Sequence, residues 1–324
     1  MKKFLGKMIL FLLPVVLYLA AFVMLEPINY FGLSLVGASI STEPLVGMRR
    51  AMRGGIKNIL LGDSRTSHFD VDYLEQVTGI RYCNQGFGGA SLKEEIDLFW
   101  WTAKYNDLEN VILQTSFWTM NKGYAADRIP ALVPVAENPL QYLFTWDYHM
   151  RAWKHAEELL LGSRNTSYVY TAGEQAENLR YYAQEVIYPG AEHYEINFEN
   201  IEALQEIAVY CRENDITFTV IFPPMDTSIW ELVIEPLDLF DEMTTYKAAI
   251  SEFAVVYDME YPEMDAYTSL DYADGFHMIG MQDGIDYKAS NFKQRYSALA
   301  DYLDQMYNGK TEHMKIWRNG IVTE

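Results

Sequence analysis

The chain is short of positive charge and of cysteine. It has 25 lysines and arginines against 45 aspartates and glutamates, for a formal net charge of -20. Such an acidic surface repels phosphate groups, which argues against a nucleic-acid partner. Two cysteines, Cys83 and Cys211, are too few for a disulfide framework or a cysteine-rich metal site. A single disulfide and two free thiols both stay open.

Long apolar runs are also scarce, and the longest one lies at the N-terminus. Residues 8–25 carry no charge and follow Lys2, Lys3 and Lys7. About 20 apolar residues span a bilayer, and basic residues before such a run favour an N-terminus inside the cell. We therefore expect a single-pass cell-membrane anchor over 1–26, with the rest of the chain extracytoplasmic. A cleaved signal peptide or a buried helix is the alternative.

Four parts follow from the composition along the chain. They are the anchor at 1–26, a connecting segment at 27–56, a globular domain at 57–310 and a C-terminal tail at 311–324. Residues 122–196 interrupt the rhythm of the globular domain, because they are rich in tyrosine and tryptophan and contain no clear strand. We interpret them as a mostly helical insertion that completes the core or forms a substrate lid.

Apolar runs of strand length alternate with amphipathic segments in the globular domain. The strands are expected at 57–64, 81–89, 110–117, 217–224 and 254–261. Helices are expected at 92–106, with Ser91 and Glu94 as a capping box, and at 198–214, 242–254 and 291–307. Continuous apolar strands between helices predict an α/β fold, a three-layer parallel sheet of about five strands with helices on both faces.

Residues suited to acyl chemistry follow these strands or lie near the C-terminus. Ser64 follows the first strand, Gly88 and Gly89 follow the second, and Asp274 and His277 come late in the chain. A serine hydroxyl needs a base within hydrogen-bond reach, and the base needs an orienting carboxylate. We expect Ser64 as nucleophile, His277 as base and Asp274 as its partner. The glycine N–H groups suit a developing oxyanion.

These motifs resemble the SGNH (GDSL-type) hydrolase superfamily. Gly62-Asp63-Ser64, the glycines at 88 and 89, Asn121 and the Asp274 to His277 pair stand in the order of that family. The resemblance implies a flavodoxin-like sheet and an oxyanion role for Asn121. The third block departs from the family pattern, because no glycine stands two residues before Asn121 and Lys122 follows it. Ser116 is a rival donor in the same loop.

The overall plan also resembles membrane-anchored proteins of D-alanine transfer to teichoic acids, and the SGNH-like partners of membrane O-acyltransferases. That resemblance implies a serine esterase or O-acyltransferase that forms an acyl-Ser64 intermediate. Its substrate would be a cell-envelope polysaccharide or teichoic acid, and a membrane O-acyltransferase would be a partner. No cofactor and no metal are expected. The alternative function is a non-catalytic module that binds or assembles envelope polymer.

Several residues have simpler interpretations. One alternative is that Ser64 serves merely as the N-cap of the following helix. Arg65 is expected to be solvated. His68 is a competing base, although it has no acidic partner at the spacing of Asp274 and His277. The pair Trp100 and Trp101 is expected to pack in the core.

Overall fold

The computed structural model describes residues 2–35, 43–67, 69, 71–161, 172–262, 272, 274–277 and 314–323. Within them, the strands are β1 Asn58–Leu61, β2 Cys83–Asn84, β3 Asn110–Gln114, β4 Thr217–Phe222, β5 Val255–Asp258, β6 Lys315–Arg318 and β7 Ile321–Thr323. They form one sheet in the order β2-β1-β3-β4-β5-β6-β7. The first five strands run parallel, as predicted, and β6 and β7 are antiparallel additions at one edge.

Helices supply most of the remaining described structure. The first part of the chain forms α1 Lys2–Leu25, α2 Pro44–Met52, α3 Ser64–Ser67, α4 Val71–Thr78, α5 Leu92–Ala103 and α6 Phe117–Met120. The insertion forms α7 Ile129–Glu137, α8 Pro139–Phe144, α9 Trp146–Leu161, α10 Ala172–Tyr182, a π-helix Ala183–Ile187 and α11 Tyr188–Ala191. Then come α12 Phe198–Glu213, α13 Thr227–Ile229, a second π-helix Trp230–Ile234, α14 Glu235–Leu237 and α15 Phe240–Ser251.

The sheet is covered on both faces, and the strands show why the apolar runs do not alternate. Successive side chains of a strand point to opposite faces. Ile59 and Leu61 of β1 belong to one buried cluster, whereas Leu60 between them belongs to another. In β3, Val111 and Ile112 divide between the same two clusters. The three-layer arrangement of the prediction is therefore present.

Helix α5 begins where the sequence predicts it. The Ser91 hydroxyl accepts a hydrogen bond from Glu94 N, at 3.2 Å, and the Glu94 carboxylate accepts one from Ser91 N, at 3.1 Å. This reciprocal pair satisfies two backbone donors that a helix start leaves free. The expected helices at 198–214 and 242–254 correspond to α12 and α15. The helix expected at 291–307 lies outside the described residues.

Two segments are more structured than the sequence analysis expected. Residues 27–56 were expected to be a connecting segment, yet α2 buries Leu45, Met48 and Ala51 in the main core. The tail expected at 311–324 forms the β6–β7 hairpin, which extends the sheet beyond β5. Its Trp317 Nε1 donates to Asp258 Oδ2 at 3.0 Å. The sequence analysis did not predict these contacts, because the partners of both segments lie far away in sequence.

The insertion at 122–196 is mostly helical in its described part, as expected. Cys83 and Cys211 are free thiols, and burial raises the pKa of Cys211 to about 12. The disulfide alternative is therefore not realised. Helix α1 runs over 24 residues and presents apolar side chains such as Phe11 and Leu17 outward. Among the described residues, no helix meets the length and hydropathy required of a membrane span.

Candidate active site

Ser64 is the first residue of α3 and lies just beyond the carboxyl end of β1. The turn between them is tight around Gly62. A Cβ at that position would lie 2.2 Å from Thr66 Oγ1 and 2.8 Å from Gln114 Oε1, so only glycine fits. This close approach lets the chain pass from strand to helix within two residues. It leaves the Ser64 side chain half-buried at the edge of the sheet.

Ser64, His277 and Asp274 form a continuous hydrogen-bonded chain. The distance from Ser64 Oγ to His277 Nε2 is 2.5 Å, although the two residues are 213 positions apart in sequence. His277 Nδ1 lies 2.6 Å from Asp274 Oδ2. The fold thus brings together the three residues that the sequence analysis assigned to acyl chemistry.

Asp274 holds the histidine in a defined orientation. Its other oxygen, Oδ1, accepts from the backbone N–H of Phe276 at 3.0 Å and of His277 at 2.8 Å. The carboxylate therefore closes the turn that carries the ring, and it also accepts the Nδ1 proton. In the neutral ring this assigns the proton to Nδ1 and leaves the Nε2 lone pair facing Ser64. His277 is placed to accept the serine proton.

The charge on Asp274 is stabilised where it is needed. Burial alone would raise the pKa of this carboxyl, but the hydrogen bonds and charge of His277, with the two backbone N–H groups, lower it below its ordinary value. Asp274 is therefore ionised at neutral pH. A carboxylate in this position stabilises the imidazolium that forms when the serine loses its proton.

A second buried ion pair lies beneath the nucleophile. Arg65 Nη2 is 2.7 Å from Asp63 Oδ2, and Asp63 Oδ1 accepts from Arg65 N at 2.8 Å. The Arg65 side chain is only 4% exposed, so the expectation of a solvated arginine is wrong. Its guanidinium carbon also lies 5.4 Å from the centroid of the Phe276 ring. Arg65 therefore links the turn that carries Ser64 to the turn that carries His277.

Gln114 supports the same turn from the neighbouring strand, and the sequence analysis missed it. Its Oε1 accepts from Asp63 N at 3.3 Å and from Thr66 Oγ1 at 2.8 Å. The available signal was a polar residue at the end of the apolar strand β3, fully buried in the structure. A buried amide with a structural role is expected to be hydrogen-bonded in this way.

The two glycines after β2 form a turn whose carbonyl groups accept hydrogen bonds from a side chain of the insertion. Arg128 Nη1 donates to Gly88 O at 3.2 Å, and Nη2 donates to Gly89 O at 2.8 Å. Arg128 is itself paired with Glu94, at 2.7 Å. Gly89 has a φ of +62°, a conformation that favours glycine. Within the described residues, no hydrogen bond is donated by the backbone N–H groups of Gly88, Gly89 and Ser64.

Asn121 and Ser116 do not reach the site. Asn121 is 2% exposed, and its Nδ2 donates to Gly190 O at 3.0 Å while its Oδ1 accepts from Gly123 N at 3.0 Å. Ser116 is fully buried and caps α6, with its Oγ accepting from Thr119 N at 3.4 Å. Neither side chain lines the cavity at Ser64. Their amide and hydroxyl groups are committed to local structure, which no motif reveals.

A cavity of about 240 Å³ opens over the serine. Its lining comprises Asp63, Ser64, Arg65, Gly89, Trp118, Tyr124, Tyr182, Val186, Ile187, Phe276 and His277. The strand ends supply the polar wall. The insertion supplies the opposite wall, mostly aromatic and aliphatic. A larger cavity, of about 680 Å³, lies beside β2, and its described lining contains no histidine.

The remaining sequence-based expectations have mixed outcomes. Trp101 packs in the core as expected, with its Nε1 donating to Met48 O at 3.0 Å, and Trp100 is partly buried beside it. His68 lies outside the described residues. Among the described residues, no group of three or more histidine, cysteine or acidic side chains is arranged to hold a metal ion.

Comparisons with known proteins give distant likenesses only. No protein-family model and no curated protein matches the chain. A provisionally named acylhydrolase from Bacteroides fragilis superposes with a TM-score of 0.37 at 10% identity, covering 78% of this chain and 86% of its own. A protein from Streptococcus pneumonia, provisionally named platelet activating factor, gives 0.39 at 9% identity, covering 81% and 92%. Likenesses this remote do not assign a family.

Proposed function

We propose that this protein is an SGNH-like serine esterase or O-acyltransferase that works through an acyl-Ser64 intermediate. The observation that carries the proposal is the pair of short contacts, 2.5 Å from Ser64 Oγ to His277 Nε2 and 2.6 Å from His277 Nδ1 to Asp274 Oδ2. A helix cap does not need a histidine, and a structural histidine does not need a serine at hydrogen-bond distance. A nucleophile hydrogen-bonded to a base, with the base hydrogen-bonded to an orienting carboxylate, is the geometry of acyl transfer.

The first half-reaction transfers the acyl group to the enzyme. Ser64 Oγ forms a bond to the acyl carbon while its proton passes to His277 Nε2, and the electrons of the carbonyl bond move to oxygen. Backbone N–H groups of Ser64 and Gly89 are free to donate to that oxygen. The intermediate collapses, the bond to the leaving group breaks, and His277 returns the proton to the departing oxygen.

The second half-reaction transfers the acyl group to water or to a hydroxyl group of a glycan. His277 takes the acceptor's proton as the acceptor oxygen attacks the ester, and Ser64 regains its proton. The insertion contributes Tyr124 and Tyr182 to the cavity wall, and α6 contributes Trp118. Aromatic faces suit a sugar ring, and such a wall also limits the access of water. We propose an acyl group of a cell-envelope polysaccharide or teichoic acid as the substrate, which is the class that the resemblance to SGNH-like envelope proteins implies.

Attachment to the cell membrane is part of the same proposal. It is supported by the uncharged run 8–25 and by the outward apolar side chains of α1, among them Phe11 and Leu17. A membrane-bound enzyme would meet an acyl group delivered across the bilayer by a membrane O-acyltransferase. The full chain should then sediment with electrically neutral phosphatidylcholine vesicles, and recovery in the supernatant would count against the anchor.

The direct test is labelling of the full chain with a fluorescent fluorophosphonate. In this reaction a bond forms between Ser64 Oγ and phosphorus, fluoride leaves, and the serine proton goes to His277. We expect strong labelling of the wild type, none of Ser64→Ala, and at least a hundredfold slower labelling of His277→Ala.

Ser67→Ala is the matched control, because this half-buried serine lies one turn further along α3 and its Oγ donates to the backbone Ser64 O, at 2.7 Å. It should label like the wild type. An unlabelled but folded wild-type protein would instead favour a non-catalytic module that binds envelope polymer. Equal labelling of wild type and Ser64→Ala would place the reactive group elsewhere.

A further inference from the structure

The proposed reaction lacks one donor that its geometry calls for. Charge develops on the carbonyl oxygen during attack, and sites of this type surround it with several preorganised donors. The N–H groups of Ser64 and Gly89 are free. Asn121, which the family resemblance implies as a side-chain donor, is buried and gives its Nδ2 to Gly190 O. A side-chain donor for the oxyanion must come from another residue.

Tyr124 brings a hydroxyl group to this place. It lines the same cavity as Ser64 and His277. Its hydroxyl oxygen would lie 3.3 Å from a Cβ built on Gly89, so it lies beside the glycine whose N–H is free. Within the described residues the hydroxyl makes no hydrogen bond. Its proton is therefore available to a ligand in the cavity.

The backbone around Tyr124 is fixed by the very residue that resembles the family's donor. Tyr124 N donates to Asn121 O at 2.9 Å, and Asn121 Oδ1 accepts from Gly123 N at 3.0 Å. The ring packs against Trp118, with centroids 5.5 Å apart. Asn121 thus builds the loop, and the loop presents Tyr124 to the cavity. A side chain held at both backbone and ring loses little freedom when it binds a ligand.

The surroundings keep Tyr124 protonated. Burial raises its pKa above the ordinary value of tyrosine, and the charge of Asp63 acts in the same direction, while Arg128 opposes them. The hydroxyl is therefore protonated, and available as a donor, at neutral pH. A neutral donor in a partly dry cavity stabilises a developing negative charge without giving up its proton.

We infer that the Tyr124 hydroxyl donates a hydrogen bond to the oxyanion of the acyl-transfer intermediate, in the position that the family resemblance assigns to Asn121. This inference rests on the proposed function. When Ser64 attacks, the carbonyl electrons move to oxygen and that oxygen accepts from Tyr124 and from the backbone. Tyr124 keeps its proton throughout, because the serine proton goes to His277. When the intermediate collapses, the carbonyl bond reforms and the hydrogen bond weakens.

Tyr182 is the competing hydroxyl in the cavity. Burial raises its pKa to about 12, and the next largest cause is the charge of Asp274. The charge that acts on the Tyr182 hydroxyl is therefore that of the carboxylate behind the histidine. The corresponding charge for Tyr124 is that of Asp63, next to the nucleophile, and the Tyr124 hydroxyl lies beside Gly89. The oxyanion forms on the side of the backbone donors, which favours Tyr124.

The experiment compares Tyr124→Phe with the wild type on p-nitrophenyl acetate and on the matching thionoester. Deleting this donor should lower kcat on the oxygen ester about a hundredfold and leave KM within about twofold. Sulfur accepts hydrogen bonds weakly, so the wild type should strongly prefer the oxygen ester. Tyr124→Phe should lose most of that preference, which a merely structural role would not change.

Tyr181→Phe is the control, because this neighbour of Tyr182 is 62% exposed and lies outside the cavity lining. It should match the wild type. The Tyr124 hydroxyl has no partner in the described protein, so its removal should not shift the melting temperature. Unchanged kcat and ester preference in Tyr124→Phe overturn the inference, as does loss of the preference in Tyr182→Phe alone. A wild type that turns over neither ester, and whose Ser64 takes no label, overturns the proposed function itself.

Discussion

The two walls of the cavity are held in different ways. On the strand-end wall, Ser64, Asp63 and His277 are fixed by hydrogen bonds and ion pairs of 2.5 to 2.8 Å. On the insertion wall, Tyr182 and Ile187 are held mainly by apolar packing. Directional contacts define the position of a group to within a few tenths of an ångström, whereas apolar contacts tolerate exchange of similar volumes. The first wall suits chemistry and the second suits selection of the substrate.

The insertion wall also contains an irregular helix that the strand-end wall lacks. The π-helix Ala183–Ile187 places Val186 and Ile187 at the cavity, and Pro189 follows it. Pro189 has no N–H to donate to the carbonyl four residues earlier. The residue before it, Tyr188, donates its N–H to Ala183 O, which lies five residues back. The second π-helix, Trp230–Ile234, is likewise followed by a proline, Pro236. Wider helical turns often occur at functional sites.

The largest expected effect is on the strand-end wall, at the residue that orients the base. Asp274→Asn should lower kcat by about 10³- to 10⁴-fold, because an amide can stabilise the wrong ring tautomer and cannot balance the imidazolium charge. Steady-state kinetics on an activated ester measures the loss. If Asp274→Asn retains more than a tenth of wild-type kcat, the directional contacts of this wall are not what supports the reaction.

The second prediction concerns the ion pair beneath the serine and its dependence on pH. Asp63→Asn leaves the buried Arg65 without its counter-charge, which should reduce the free energy of unfolding by about 3 to 5 kcal/mol. Although burial opposes it, Arg65 lowers the pKa of Asp63 below its ordinary 3.8. The stabilisation is therefore complete above that value and is lost as the pH falls through the lower pKa of the folded state.

Urea unfolding from pH 7 down into the strongly acidic range, well below the ordinary carboxyl pKa of 3.8, tests both parts. The gap between wild type and Asp63→Asn should be full at pH 7 and should narrow as the solution becomes strongly acidic. Lys57 and Glu109 provide the control, since their ion pair is exposed on both sides. Glu109→Gln should cost little at any pH. A gap that stays constant down to the acid range would show that the charge on Asp63 is not what stabilises the turn.

The smallest effect is expected on the insertion wall. Ile187→Ala should widen the cavity and raise kcat/KM for a butyrate ester relative to acetate by about tenfold, since each methylene in an apolar pocket contributes 1 to 3 kcal/mol. Absolute kcat on acetate should fall by less than tenfold. Leu140→Ala, at an exposed position of the insertion, should leave the ratio unchanged. A change in kcat as large as that of Asp274→Asn would remove the distinction between the walls.

Local signals predicted much of the fold. The apolar runs at 57–64 and 110–117 contain β1 and β3, because strands buried on both faces are mostly apolar. The Ser91 and Glu94 pair marks the start of α5 by chemistry that needs only four residues. The burial of α2 and the β6–β7 hairpin were missed, since each depends on contacts with distant segments.

The site divides in the same way. The order of residues along the chain pointed to Ser64, Asp274 and His277, because acyl chemistry restricts which residue types can act as nucleophile, base and orienting acid. The sequence could not predict that the Asn121 side chain donates its hydrogen bond to Gly190 O. Nor could it predict that Arg65 is buried against Asp63, because an arginine beside a turn is solvated in most proteins.

By itself, then, the sequence determined the parallel α/β scaffold and the chemical identity of the residues proposed to react, both of which depend on local patterns and on a few permitted residue types. Only the tertiary structure decided which polar groups are free to act. A hydroxyl or amide becomes available when its neighbours leave it unpaired, and those neighbours come from segments far apart in the chain. That is why Asn121 is occupied while Tyr124, three residues later, presents a free hydroxyl beside Gly89.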